Sequence, residues 1–342
     1  MSRSGVGSVD GRRSGVPDGS VIRVGVIGCG GMGGWHADNL DRQPGVSVTA
    51  CADVVPAAAE AVAQRLGAEV RDGDALAAAD DVDAILIASS DASHARYAVA
   101  AIARGTPCFV EKPLGETLEQ ADRILDAEVA AGRRLARVGF MRELDPAHQQ
   151  VVEQLADLGP ITRIRSVHRN VDPARRTVEV LFAQSLIHDI HTIRRLSGEE
   201  VASVRGHVVT RSDGFRDVLM VCVLESGALG LVDFEDQAFA YEVQVEVTAE
   251  RGMVATVPHP RAVVRRDGEE SLPVGADWFS RFEEAYRLEI EEWVAGLRTG
   301  TPTGPSVWDG YAAQVVADAA MTSLRDNTEV PVTLPPVPEL YR

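Results

Sequence analysis

The chain has 342 residues, of which 45% are hydrophobic and 25% charged, a balance that excludes a wholly disordered chain and leaves room for two domains with their own cores. A formal net charge of -17 weighs against nucleic acid and anionic membrane as partners, because both would be repelled. The four cysteines (Cys29, Cys51, Cys108, Cys222) lie far apart with no C-x-x-C pair, and read as free thiols of a reducing, cytoplasmic compartment.

Residues 1–20, rich in Gly, Ser and Arg with only valine as a larger apolar residue after Met1, predict a mobile leader without the apolar core of a signal peptide. No apolar run reaches the roughly 18 residues of a membrane span. Residues 21–140 read as a dinucleotide-binding domain. Its first strand, Val21 to Ile27, runs into Gly28-x-Gly30-x-x-Gly33 and then a helix. In that fingerprint the first glycine allows the tight turn, the second lets the backbone approach a pyrophosphate, and the third permits close helix packing. A second strand, "VSVTACAD", ends in Asp53, 20 residues beyond Gly33, where an acid bonds a ribose 2'-hydroxyl and repels a 2'-phosphate. The expected cofactor is NAD rather than NADP. Its binding set is Gly28, Gly30, Gly31, Met32, Gly33 and Asp53, with Ser89, His94, Glu111 and Lys112 at or just past the ends of later strands.

The pattern continues as α/β: helix over 56–66, buried strand in "VDAILIASS", helix over 93–104, strand in "PCFVEKP", helix over 117–131, strand in "RLARVGF". Such alternation implies a parallel sheet with helices on both faces, and ligands at the carboxyl ends of its strands. Lys112 falls at such an end, and so does the loop "GFMRELDPAH". Lys112 is also the only lysine among 34 Lys and Arg residues. A site that accepts lysine and not arginine asks for a compact point charge whose pKa can shift.

Residues 141–342 change style. "ITRIRSVHRN", "VASVRGHVVT", "RDVLMVCVLESGALGLVDF" and "YEVQVEVTAERGMVATV" predict a large, mainly antiparallel sheet turned at "ESG" and "ERG". Two amphipathic helices follow, one stopped by Gly300, giving a second domain of α+β type. Within "FAQSLIHDIHTIRRL", Gln184, His188 and His191 stand at i, i+4 and i+7, on one face of a helix away from its apolar stripe. No carboxylate or cysteine pattern completes a metal ligand set around the two histidines.

With these motifs the chain resembles the Gfo/Idh/MocA family of nicotinamide-dependent oxidoreductases. The match runs over nearly everything after residue 20: the Gly28–Gly33 loop, Glu111-Lys112-Pro113, Gly139-Phe140-Met141-Arg142 and the histidine-bearing helix. "HRN" (168–170), "DWFSRFEEAY" (277–286) and "GPSVWDGYAA" (304–313) make it most similar to the inositol 2-dehydrogenase branch. The resemblance implies hydride transfer from a ring secondary hydroxyl of a cyclitol or sugar. Lys112, its bond to Pro113 often cis in the family, and His188 would act on that hydroxyl. Arg142, Asn170, Tyr241, Gln184 and His191 would be substrate contacts, and homodimers or homotetramers would form through the second sheet.

Two positions depart from the branch: Gln184 and His191 stand where aspartates are usual, and glutamine carries no charge to support an imidazolium. An amino-cyclitol or amino-sugar substrate, as in aminoglycoside biosynthesis, is therefore the expectation, with myo-inositol oxidation as the alternative. A ketosugar reductase and an NAD-binding sugar-sensing regulator remain further readings. The first is disfavoured by the lack of a basic residue in "ADVVP", the second by retention of Lys112 and His188.

Overall fold

Strand and helix alternate from Ile22 to Gly139, as the periodicity requires, in a computed structural model that describes residues 20–171, 174–257, 264–266, 269–271 and 277–342. All but the last residue of the expected leader lies outside the described residues. The order is β1 (Ile22–Ile27), α1 (Gly31–Asp41), β2 (Val46–Ala52), α2 (Pro56–Leu66), β3 (Glu69–Val70), α3 (Gly73–Ala77), β4 (Ala84–Ile87), α4 (Asp91–Arg104), β5 (Cys108–Glu111), α5 (Leu118–Ala131) and β6 (Ala136–Gly139). The six strands pair in parallel in the order β3-β2-β1-β4-β5-β6. Chain order reverses between β1 and β4, and the crevice at such a reversal is where a parallel sheet takes its ligand. The central strands are apolar along their whole length because helices cover both faces: Val24, Val26, Ile85, Leu86 and Val110 are fully buried.

Helix ends follow local chemistry. Pro56 opens α2, and Gly67, Gly105 and Gly132 close α2, α4 and α5 in the left-handed conformation. Thr117 caps α5 by accepting from the Gln120 N–H. A cap of this kind contributes about 1 kcal/mol.

The second unit holds α6 (Pro146–Leu158), β7 (Ile161–Val171), α7 (Val178–Leu181), α8 (Ile187–Ser197), β8 (Val201–Thr210), β9 (Arg216–Leu224), β10 (Leu229–Glu235), β11 (Gln237–Ala249) and β12 (Gly252–Ala255). A small hairpin, β13 (Val264–Arg266) and β14 (Glu269–Ser271), precedes α9 (Trp278–Thr299), α10 (Val307–Asp326) and β15 (Val330–Pro331). Seven strands form one sheet, β12-β11-β7-β10-β9-β8-β15, antiparallel except where β7 runs parallel to β10. Gly300 ends α9 at φ +69°, as its position in the sequence predicts.

The stretch "GFMRELDPAH", expected as a loop, instead folds into a 3-10 turn (Met141–Leu144) and the start of α6, because Pro146 suits a first helical turn. The last two helices return to the first unit: Ile290, Trp293 and Leu297 of α9 pack in one core with Val24, Leu86 and Phe109. The four cysteines are free and buried. Among the described residues no helix is long and apolar enough to cross a membrane.

Candidate active site

The glycine loop is shaped by steric need. Gly28 sits at φ +94°, and a Cβ there would lie 2.4 Å from the Ala88 backbone; at Gly33 it would lie 1.7 Å from the Gly28 carbonyl oxygen. Gly30 and Gly31 face open space at the start of α1, a cradle in which a phosphate can meet free helix N–H groups. Asp53, just past β2, accepts from the Cys29 N–H (2.6 Å) and the Val55 N–H (2.7 Å), so its carboxylate is fixed against that loop. His94 spans two turns, with Nδ1 2.8 Å from the Pro113 carbonyl oxygen and Nε2 3.1 Å from that of Ser89. These residues fit a dinucleotide.

Beside the loop lies a cavity of about 520 Å³ at the carboxyl ends of β4, β5 and β6. Met32, Ser89, His94, Glu111 and Lys112 line one side; Arg142, Asn170, Gln184, His188 and Tyr241 line the other. The Lys112–Pro113 peptide is cis, and Lys112 Nζ donates to the Gln184 carbonyl oxygen at 3.1 Å. Burial lowers the Lys112 pKa, with the charges of Arg142 and Arg176 adding to that and those of Glu111 and Asp91 opposing it. Burial alone would raise the Glu111 carboxyl, but its 2.6 Å contact with His36 Nε2, helped by Lys112, holds it below the usual range. His188 is held neutral: burial comes first, and the cations Lys112 and Arg142 next, in pushing its pKa well below 6.5. Its Nδ1 is buried without a partner, which leaves Nε2 as the nitrogen open to the cavity.

Behind this wall is a network the sequence did not disclose. Asp189 is wholly buried and accepts from Arg142 Nη1 (2.7 Å), Ser166 Oγ (2.7 Å) and His168 Nδ1 (2.7 Å). Burial would raise its pKa, but Arg142 and His168 keep it well below the carboxylate range. His168 Nε2 lies 3.2 Å from Asn170 Oδ1, and the Asn170 amide donates to Ser185 Oγ at 3.1 Å. The chain thus fixes Arg142 and Asn170 from behind, so that neither reorganises to meet a ligand. Removing one partner of a buried ion pair typically costs about 3 to 5 kcal/mol, so Asp189→Ala is expected to lower unfolding stability by that amount in urea titration. A loss below 1 kcal/mol would mean that the pair is effectively solvated.

The expectation for His191 needs correction. It does not line the cavity: Nε2 bonds Glu143 at 2.8 Å and the ring stacks on Phe140 at 4.0 Å. The face drawn through Gln184, His188 and His191 holds for the first two, which both line the cavity although Gln184 belongs to the π-helical turn Phe182–Leu186, whereas His191 sits farther along α8 against Phe140 and Glu143. That turn presents a backbone carbonyl, rather than the Gln184 side chain, to Lys112. Lining residues not anticipated as site residues include Asp91, Ser185, Asp277, Tyr286 on α9, and Arg176, which donates to the buried Asp236 at 2.7 Å. Tyr286 belongs to "DWFSRFEEAY", so the motif was legible and its contact was not.

The chain is similar to known dehydrogenases. The Gfo/Idh/MocA model, an oxidoreductase family with an NAD-binding Rossmann fold, matches residues 22–140, and the family's C-terminal alpha/beta domain matches 181–334. The chain is 40% identical to an inositol 2-dehydrogenase of Rubrobacter xylanophilus over 95% of this chain and 97% of that protein. It is 38% identical to one of Acidothermus cellulolyticus, over 94% and 98%. A crystal structure of myo-inositol dehydrogenase from Lactobacillus casei with NAD(H) and myo-inositol superposes with a TM-score of 0.90 at 31% identity, covering 94% of this chain and all of that one.

Proposed function

The chain belongs to the Gfo/Idh/MocA oxidoreductase family, and from that premise we propose that it oxidises a ring secondary hydroxyl of a cyclitol with NAD, Lys112 and His188 acting on that hydroxyl. The observation that carries the reading is the meeting of the chain's one lysine and a neutral, buried histidine in a single cavity that Met32 of the glycine loop also lines. NAD, when bound, supplies the hydride acceptor.

The protein's part is to bind, orient and move a proton. Lys112 Nζ spends one hydrogen on Gln184 and has two left for a substrate oxygen, where its charge stabilises the alkoxide that forms as hydride leaves. His188 Nε2 is a neutral acceptor for the hydroxyl proton. Arg142, Asn170 and Tyr241 remain for neighbouring hydroxyls; burial raises the Tyr241 phenol to about 12, so it stays a donor at neutral pH.

A neutral polyol suits this lining better than an amino-cyclitol. An ammonium group needs a free carboxylate; of the three that line the cavity, Glu111 is engaged by His36 and Asp277 by the Ser280 N–H, and Asp91 shares the lining with the cations Lys112, Arg142 and Arg176, which an ammonium would also meet. The test is initial-rate NAD reduction on myo-inositol, scyllo-inositol and an amino-cyclitol, each repeated with NADP. Turnover of a neutral inositol with NAD, slower with NADP and with the amine, is the expected result. Turnover of the amine alone would transfer the proposal to amino-sugar chemistry, and no turnover of any polyol would refute it.

We also propose self-association through the open face of the second sheet. Leu219 is 49% exposed and Leu229 39% exposed on that face, with Val221 paired to Leu231 between them. Leu219→Arg is expected to shift the protein to a smaller species in light scattering, while an unchanged mass would exclude this face.

A further inference from the structure

A second cavity, of about 450 Å³, lies at the opposite end of the strands that carry the active site. Its lining includes Arg133, Arg134 and Arg137 but no aspartate or glutamate, on a chain whose formal charge is -17. Arg133 donates to the Gly105 carbonyl oxygen and Arg134 to that of Gly304, both at 2.9 Å, and among the described residues neither has a carboxylate partner. Arg137 is only 2% exposed; Nη1 bonds Glu292 (2.6 Å) and Thr303 (3.3 Å), whereas Nε and Nη2 are buried with no partner. Trp293 and Leu297 add an aromatic and an aliphatic surface. Volume, apolar lining and a few convergent polar groups are the attributes of a small-molecule site, and unpaired guanidinium groups select a planar or tetrahedral anion.

We propose that this cavity binds a small organic anion, its carboxylate or phosphate held by Arg133 and Arg134 with Arg137 behind them, and its apolar body against Trp293 and Leu297. The site is separate from the dinucleotide and cyclitol cavity and does not depend on the proposed reaction. One element lines both, α9, with Trp293 at one and Tyr286 at the other, and two strands run between them: β5 starts just after Pro107 and ends at Glu111 in the active-site cavity, and β6 starts at Ala136 and Arg137 and leads to Met141. Five residue steps along β5 carry the chain from Pro107 to Lys112, about 16 Å.

The experiment is calorimetric titration of the full chain at saturating NAD, which fills the pyrophosphate cradle, with phenyl phosphate, benzoate and inorganic phosphate as probes. Saturable binding of phenyl phosphate or benzoate, one per chain and tighter than inorganic phosphate, is expected. Arg133→Gln/Arg134→Gln should weaken it by about tenfold or more, and Lys112→Arg should leave it unchanged. Absence of saturable binding, or binding weakened by Lys112→Arg and not by the arginine variant, overturns the proposal; so does equal affinity for inorganic phosphate, which would leave Trp293 no role. Should the double variant fail to fold by circular dichroism, Trp293→Phe decides: weaker phenyl phosphate binding supports the site, and unchanged binding removes it.

Discussion

Replacing Lys112 with methionine is expected to lower kcat by roughly 10²- to 10³-fold while leaving NAD affinity nearly unchanged, the cost usual for deleting a preorganised group at a developing oxyanion. Lys112 is held by the Gln184 carbonyl, packed beside Glu111 and partly stripped of water, so its charge acts at short range in a poorly screened cavity. Methionine keeps the stem and removes the charge. Lys112→Arg keeps the charge, but its planar fork is larger and cannot give up a proton, so it should recover little of the rate. Steady-state kinetics with a parallel titration of NADH binding separate the two effects. A variant retaining more than about a tenth of the wild-type kcat would show that Lys112 does not hold the reacting oxygen.

Local chemistry made much of this site readable in the amino-acid string. Strand, glycine turn, helix and Asp53 lie within one βαβ stretch, and Gly28 and Gly33 answer steric demands met at the neighbouring β4 turn or within a few residues. Lys112 stood out because arginine filled every other basic position. Asp189 was hidden for the opposite reason: its partners Arg142, Ser166 and His168 come from other elements, and only the folded sheet brings them to one carboxylate. The parallel β7–β10 pair was invisible on the same ground, since strand order is decided by long-range packing that alternation along one strand does not encode. His191 was misplaced because helical spacing gives a face but not what packs against each level of it: three residues beyond His188 on α8, it meets Phe140 and Glu143 of the β6–α6 connection.

His188→Ala is expected to cost about 10²-fold in kcat, near the lower end of what a positioned base contributes. The reason is electrostatic. A base that must carry a proton, however briefly, gains from an anion on its far nitrogen, and His188 Nδ1 has no partner, while Lys112 and Arg142 oppose its charging. The group is therefore always ready to accept but ill suited to keep what it accepts. Two pH consequences follow. Because the folded-state pKa is depressed, His188 favours the folded chain fully above the unfolded histidine value of 6.5, and that contribution is lost as pH falls below it. For the same reason the acid limb of wild-type kcat/KM should lie below 6.5 and vanish in His188→Ala. Lys112, its own pKa lowered by burial, is the group placed to take the proton once the imidazole is gone, so the residual rate of His188→Ala should climb with rising pH. Adding Lys112→Met should flatten that climb; if the slope persists in the double variant, hydroxide rather than Lys112 is the second base, and the lysine serves only as a charge.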